Sequence, residues 1–144
     1  MERRSRIVRA IWALCLLLAG VNHARILVQH GLAWDYGGVG VISAAYWSSL
    51  TILDPLAAIL LFTRKRVGVS VTIVLIVTNV VHNLSITAIL SPEGEFLSRV
   101  ASSPTLLSQI GFMLFVVATG RTAGSGNVDR EAVQDRGKRN REGR

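Results

Sequence analysis

The stretch VGVSVTIVLIVTNVV, residues 67–81, decides how the chain is read. Eleven of its fifteen residues are β-branched, and in water such a run reads as a strand. The apolar run does not stop there, however. It continues to Leu90 without one Asp, Glu, Lys or Arg, far beyond the usual length of a strand. A hydrocarbon core about 30 Å thick takes roughly 20 apolar residues as a helix. In lipid a lone segment satisfies its backbone only as a helix. Residues 67–90 are therefore read as a membrane-spanning helix.

Three further blocks have the same character: residues 7–28, 39–63 and 102–119. None carries the charged stripe that a water-facing helix of a soluble bundle needs. The expected fold is all-α, a four-transmembrane-helix bundle over residues 1–120. Residues 121–144 form a separate segment, dense in mixed charge and poor in apolar residues. Such a segment cannot bury enough surface to offset its chain entropy, so a disordered basic tail is expected there.

The chain carries a net charge of +7. Nucleic-acid binding is not expected, because the basic residues follow the boundaries of the spans. Fourteen of the sixteen Lys and Arg residues lie before or at the very start of span one (Arg9 the last of these), between spans two and three (Arg64, Lys65, Arg66), or after span four. Arg25 and Arg99 are the exceptions. By the positive-inside rule this predicts both termini in the cytoplasm. Arg predominates over Lys, as in GC-rich bacteria, and a bacterial inner membrane is the expected location. MERRSRIVRA followed by IWALCLLLAG resembles a signal peptide. No small-residue cleavage site follows, so it is read as an uncleaved first span. Trp34, Tyr36, Tyr46 and Trp47 are expected to form an aromatic belt at the outer interface. Phe96, Leu97 and Val100 suit a short turn on the bilayer surface.

The informative residues are the polar ones inside the spans. From helical rise, Asp54 lies roughly 13 Å above the cytoplasmic boundary, Gln109 roughly 16 Å and Asn79 roughly 18 Å. Asn22, His23, His82 and Asn83 lie roughly 22–24 Å up. All four spans thus deliver a polar group to the middle or outer half of the bilayer. A carboxylate at such depth costs about 2.5–3.5 kcal/mol on insertion scales, so Asp54 should face the bundle and pair, or hold a proton. Asn79 or Thr78 is its expected partner, with Gln109 next. Pro55 cannot donate to the carbonyl of Thr51. Span two is then either a kinked continuous helix, the favoured reading, or two half-helices with Asp54 capping the second. The small-residue pairs Gly20/Ala24 and Gly40/Ala44 would permit close helix approach.

His23 and His82 lie at similar depth on two spans and are weak candidates for metal or haem ligands. No compact metal-binding pattern accompanies them, and no cofactor is expected. The adjacent Asn22 and Asn83 suggest instead a His–Asn hydrogen-bonded layer or a water pocket. The lone Cys15 excludes an internal disulfide and a dithiol redox pair. No nucleophile-and-base constellation stands out, so enzymatic activity is not expected.

The layout resembles that of small four-span bacterial inner-membrane proteins. It departs from small multidrug exporters, which place a Glu in the first span, and from vitamin-K-epoxide-reductase-like proteins, which need several cysteines. Three functional classes remain open. One is a non-catalytic membrane subunit or scaffold, with the lipid bilayer and a homo- or hetero-oligomer as partners. Another is a transporter or channel component for a proton, cation or small solute, built on Asp54, Asn79 and His82. The third is a haem- or quinone-linked redox protein using His23 and His82. The topology has a direct check: a green fluorescent protein fused after Arg144 should fluoresce, and an alkaline phosphatase fused there should be inactive.

Overall fold

The computed structural model describes residues 2–32 and 34–125. It is all-helical, with α1 over Glu2–His30, α2 over Val41–Thr63, α3 over Lys65–Leu90, a short α4 over Phe96–Ala101, and α5 over Pro104–Gly124. α1, α2, α3 and α5 are each long and apolar enough to cross a membrane. The β-branched run of α3 is helical throughout, as its length required. Within the most apolar window of each helix, only 17–28 % of residues are buried inside the bundle. The rest of that apolar surface faces outward, which is consistent with a membrane location.

The four long helices form a square. α1 lies against α2 and α5, α3 lies against the same two, and the diagonal pairs make no close backbone approach among the described residues. One end of the bundle is basic. There the Ser5 hydroxyl donates to the Ala123 carbonyl at 2.9 Å, and Arg9 Nη1 donates to the Leu61 carbonyl at 3.3 Å. The beginning of α1, the α2–α3 turn and the end of α5 therefore share one end. The two longer connections lie at the opposite end, called here the loop end.

Helix boundaries follow local chemistry. Gly37, Gly38 and Gly40 all have positive φ, so α2 begins at Val41 rather than 39. This also removes Gly40 from the helix that Ala44 occupies, and the expected Gly40/Ala44 pair is not formed. Ser103 caps α5, its hydroxyl accepting from the Leu106 amide, with Pro104 in the first turn, a favoured combination at a helix start. At the other end α5 runs on to Gly124, five residues past the expected limit. The expected tail thus begins with helix, and its residues 126–144 lie outside the described residues. α2 is one continuous helix through Pro55, in line with the favoured reading.

Two close approaches set the packing. A Cβ on Gly68 would lie 2.4 Å from the backbone of Leu60 and Leu61, so α3 meets α2 backbone to backbone just past the single-residue corner at Arg64. A Cβ on Gly20 would lie 2.9 Å from Pro55 Cδ and 3.5 Å from Asp54 Cβ. The Gly20/Ala24 pair therefore contributes its glycine to α1–α2 contact at the Asp-Pro step. Toward the basic end the interior is filled by Trp12, Leu16, Ala57, Leu61, Val69 and Val116. Trp12 is fully buried, and its indole N–H donates to Thr119 Oγ1 at 3.1 Å. It is a core residue, not an interfacial one. Gly68→Ala should cost about 1–3 kcal/mol through overpacking. Gly111→Ala, which meets nothing within 4 Å, should leave stability unchanged or raise it by about 0.5–1 kcal/mol; thermal unfolding in detergent compares the two.

Candidate functional site

Above this packed half the bundle opens. A cavity of about 440 Å³ is bounded by α1, α2, α3 and α5. Asp54 is its lone acid among the described residues, and His23, Asn22, Asn79, Gln109 and Ser108 supply further polar lining. Leu16, Leu75, Ile76 and Phe112 make the remaining walls largely apolar. A second concavity of about 310 Å³ shares Asn22, His23, Thr105 and Gln109 with the first and continues to Tyr36, Thr87 and Ser103 at the loop end. Polar groups thus line a route from the loop end down to Asp54. Below Asp54, Ala57, Ala58 and Leu61 follow on the same buried stripe of α2, so the cavity is closed toward the basic end. It occupies the seam between α1 and α5. The cross-helix hydrogen bonds of that seam, Ser5 to Ala123 and Trp12 to Thr119, both lie in the basic half.

One hydrogen-bond network spans the upper part of the site, with Asn83 at its hub. The Trp47 indole N–H donates to Asn83 Oδ1 at 2.8 Å. Asn83 Nδ2 donates to Gln109 Oε1 at 2.7 Å and to Asn79 Oδ1 at 3.3 Å. The direction of each bond is forced. An indole nitrogen only donates, so the Asn83 oxygen must face Trp47. Its amide nitrogen then faces Asn79 and Gln109, which must present their oxygens. Among the described residues the NH₂ groups of both remain unspent as donors, on two side chains that line the Asp54 cavity.

Asp54 is only 5 % exposed. The expected direct bond to Asn79, Thr78 or Gln109 is not formed. Asn79 is drawn to Asn83 four residues along its own helix, and Thr78 lies beside Tyr46 and Ser70 on a different face. Among the described residues no side-chain or backbone donor bonds the Asp54 carboxylate. The cavity thus holds a carboxyl group without a protein partner and two amide donors without protein acceptors.

The two histidines separate. His23 lines the cavity, and its Nδ1 is enclosed without a hydrogen-bond partner among the described residues. His82 lines neither concavity. Its ring packs at 4.8 Å from Tyr46 and 5.5 Å from Trp47. The expected His–Asn layer is replaced by the Trp47–Asn83 network, because Asn83 spends its amide on Trp47, Asn79 and Gln109. Two imidazoles facing one cofactor is therefore not the arrangement observed. Among the described residues no three His, Cys, Asp or Glu side chains gather where they could hold a metal ion.

Three of the four residues expected in an aromatic belt, Trp34, Tyr36 and Trp47, pack ring against ring at the loop end. His30, Trp34, Tyr36 and Trp47 follow one another at 4.0, 4.5 and 5.0 Å between ring centroids. Tyr36 takes a left-handed φ of 54° to join them, beside a turn in which the Gly37 amide donates to Asp35 Oδ1 at 3.1 Å. Trp47 thus belongs both to this roof and to the polar network. Its role, and the place of Cys15 and Ser108 in the cavity wall, are absent from the expectations above. The spacing of Asn79 and Asn83, and of Thr105, Ser108, Gln109 and Phe112, carries that signal, since residues three and four apart share a helix face.

Comparison with protein families, curated proteins and solved structures found no match.

Asn83→Ala removes three hydrogen bonds and should destabilise the protein by about 1–3 kcal/mol. A double-mutant cycle with Trp47→Phe should give a coupling of about 0.5–1.5 kcal/mol, measured by unfolding in mixed micelles.

Proposed function

We propose that this chain is a membrane-embedded binding protein for a small amphipathic solute, acting as the solute-recognising part of a transporter or receptor. α1, α2, α3 and α5 cross the bilayer, with the basic end in the cytoplasm and the loop end outside. The observation that carries this reading is the cavity that reaches Asp54 from the loop end and is closed beneath it. A subunit or scaffold needs no such space. Its volume lies in the range of small-molecule pockets, and it has their usual make-up of apolar walls with a few placed polar groups.

The lining chemistry narrows the occupant. Asp54 calls for a donor, such as an amine or hydroxyl. The spare NH₂ groups of Asn79 and Gln109 call for an acceptor oxygen. The apolar walls favour a molecule with a hydrocarbon or ring body over a hydrated ion. The packed layer of Trp12, Leu61 and Val116 argues for a one-ended vestibule in this conformation rather than a continuous pore.

Cys15, the lone cysteine of the chain, lines the cavity and reports on it. A small charged methanethiosulfonate reagent that does not cross membranes, applied outside intact cells, should label Cys15, with Cys15→Ala as the blank. A lipophilic primary amine should protect the thiol. Asp54→Asn should weaken that protection roughly 10- to 100-fold, the worth of a charge-assisted hydrogen bond. A thiol that reacts only after denaturation, or protection unchanged in Asp54→Asn, would refute the reading.

A further inference from the structure

A third concavity lies at the basic corner, between the first turns of α1 and the α2–α3 turn. It measures about 460 Å³ and is lined by Arg9, Arg64, Lys65 and Arg66, with Phe62 on one wall and Glu2 as its lone acid among the described residues. Glu2 and Arg66 already have partners. We propose that this corner binds a phosphate group, with Arg9 and Lys65 as the direct donors and Arg64 adding charge at the rim.

Arg9 is the central observation. It sits inside α1, not in a loop, and its side chain is pinned across to α2. Nη1 donates to the Leu61 carbonyl at 3.3 Å, and the guanidinium carbon lies 5.9 Å from the centre of the Phe62 ring. The Nε donor is enclosed and has no partner among the described residues, so the remaining Nη hydrogens are the ones open to a ligand. A guanidinium has five N–H donors in a rigid fork, and only one of them is bonded here. The unspent fork has the shape that takes two oxygens of one phosphate. Lys65 is held in the same corner by donating from Nζ to the Ser125 carbonyl at the end of α5, and two of its ammonium hydrogens remain.

Topology alone does not require this arrangement. Positive charges that orient a membrane protein need only lie in the flanking segments; they need not converge on one concavity, where they repel one another. An anion between them relieves that repulsion. Arg9 and the end of α2 also mark the edge of the apolar blocks. On the membrane reading given above, that is the depth of the inner-leaflet phosphates, and basic pockets between helices on this side hold anionic headgroups. The lipid source rests on that reading; the phosphate chemistry does not.

The test uses the full chain in three preparations: nanodiscs of phosphatidylcholine, nanodiscs containing phosphatidylglycerol, and phosphatidylcholine nanodiscs with added inorganic phosphate. Phosphatidylglycerol should raise the unfolding temperature and stay bound in native mass spectrometry. Arg9→Gln and Lys65→Gln should each weaken its binding about fivefold, while Arg25→Gln, at the loop end, should not. If inorganic phosphate gives the same shift with the same losses, the site stands and its ligand is a free phosphate. If neither anion distinguishes the wild type from Lys65→Gln and Arg64→Gln, the proposal is overturned, even should Arg9→Gln fail to fold. A chain that stays monodisperse without detergent refutes the membrane reading alone, and the phosphate measurement in solution still decides the site.

Discussion

A polar side chain enclosed within this apolar bundle is stabilised where it finds a hydrogen-bond partner inside the protein. Many of the Ser and Thr hydroxyls find one locally, bonding a carbonyl one turn back. Thr63 donates to Ile59, Ser85 to Val81, Thr87 to Asn83, Ser91 to Thr87, and Thr119 to Phe115. This is the usual solution for Ser and Thr in apolar helices. Carboxamides and carboxyls are too demanding for it. They turn inward, and their meeting divides the bundle into a packed half and a hollow half.

The packed half depends on small residues and on Trp12. Gly68 lets α2 and α3 touch backbone to backbone, while Trp12 fills the centre and ties α1 to Thr119 of α5. The hollow half depends on Trp47. Its donor-only nitrogen sets the orientation of Asn83, and Asn83 in turn sets Asn79 and Gln109. Three of the four long helices are joined by that relay: α2, α3 and α5. α1 takes no part in it among the described residues, and the space beside α1 is where the cavity lies.

Much of this was legible in the sequence. The four apolar blocks gave the helices, because length and absence of charge suffice to mark such elements. The positions of Asp54, Asn79, Gln109, Asn22 and His23 along their helices gave the level at which they meet, because helical rise is fixed. What depth could not supply was rotation. Asn79 and Thr78 are neighbours in sequence and equal in expected depth, yet one lines the cavity and the other faces away. His82 and Asn83 divide in the same way. Which face turns inward depends on how the helices cross, and that is set by the contacts at Gly20 and Gly68. The ends of α1 and α5 were set short because their polar turns project beyond the apolar blocks while keeping helical hydrogen bonds.

The single-residue corner at Arg64 has a consequence for biogenesis. On the membrane reading proposed above, the absence of slack between α2 and α3 would have them enter the lipid as one helical hairpin. Leu75, Ile76 and Asn79 border the same recess as Asp54, so the acid can be screened by its neighbour during insertion, before α5 has been synthesised. The most expensive side chain of the chain is thereby placed in the segment whose partner is always the next to emerge.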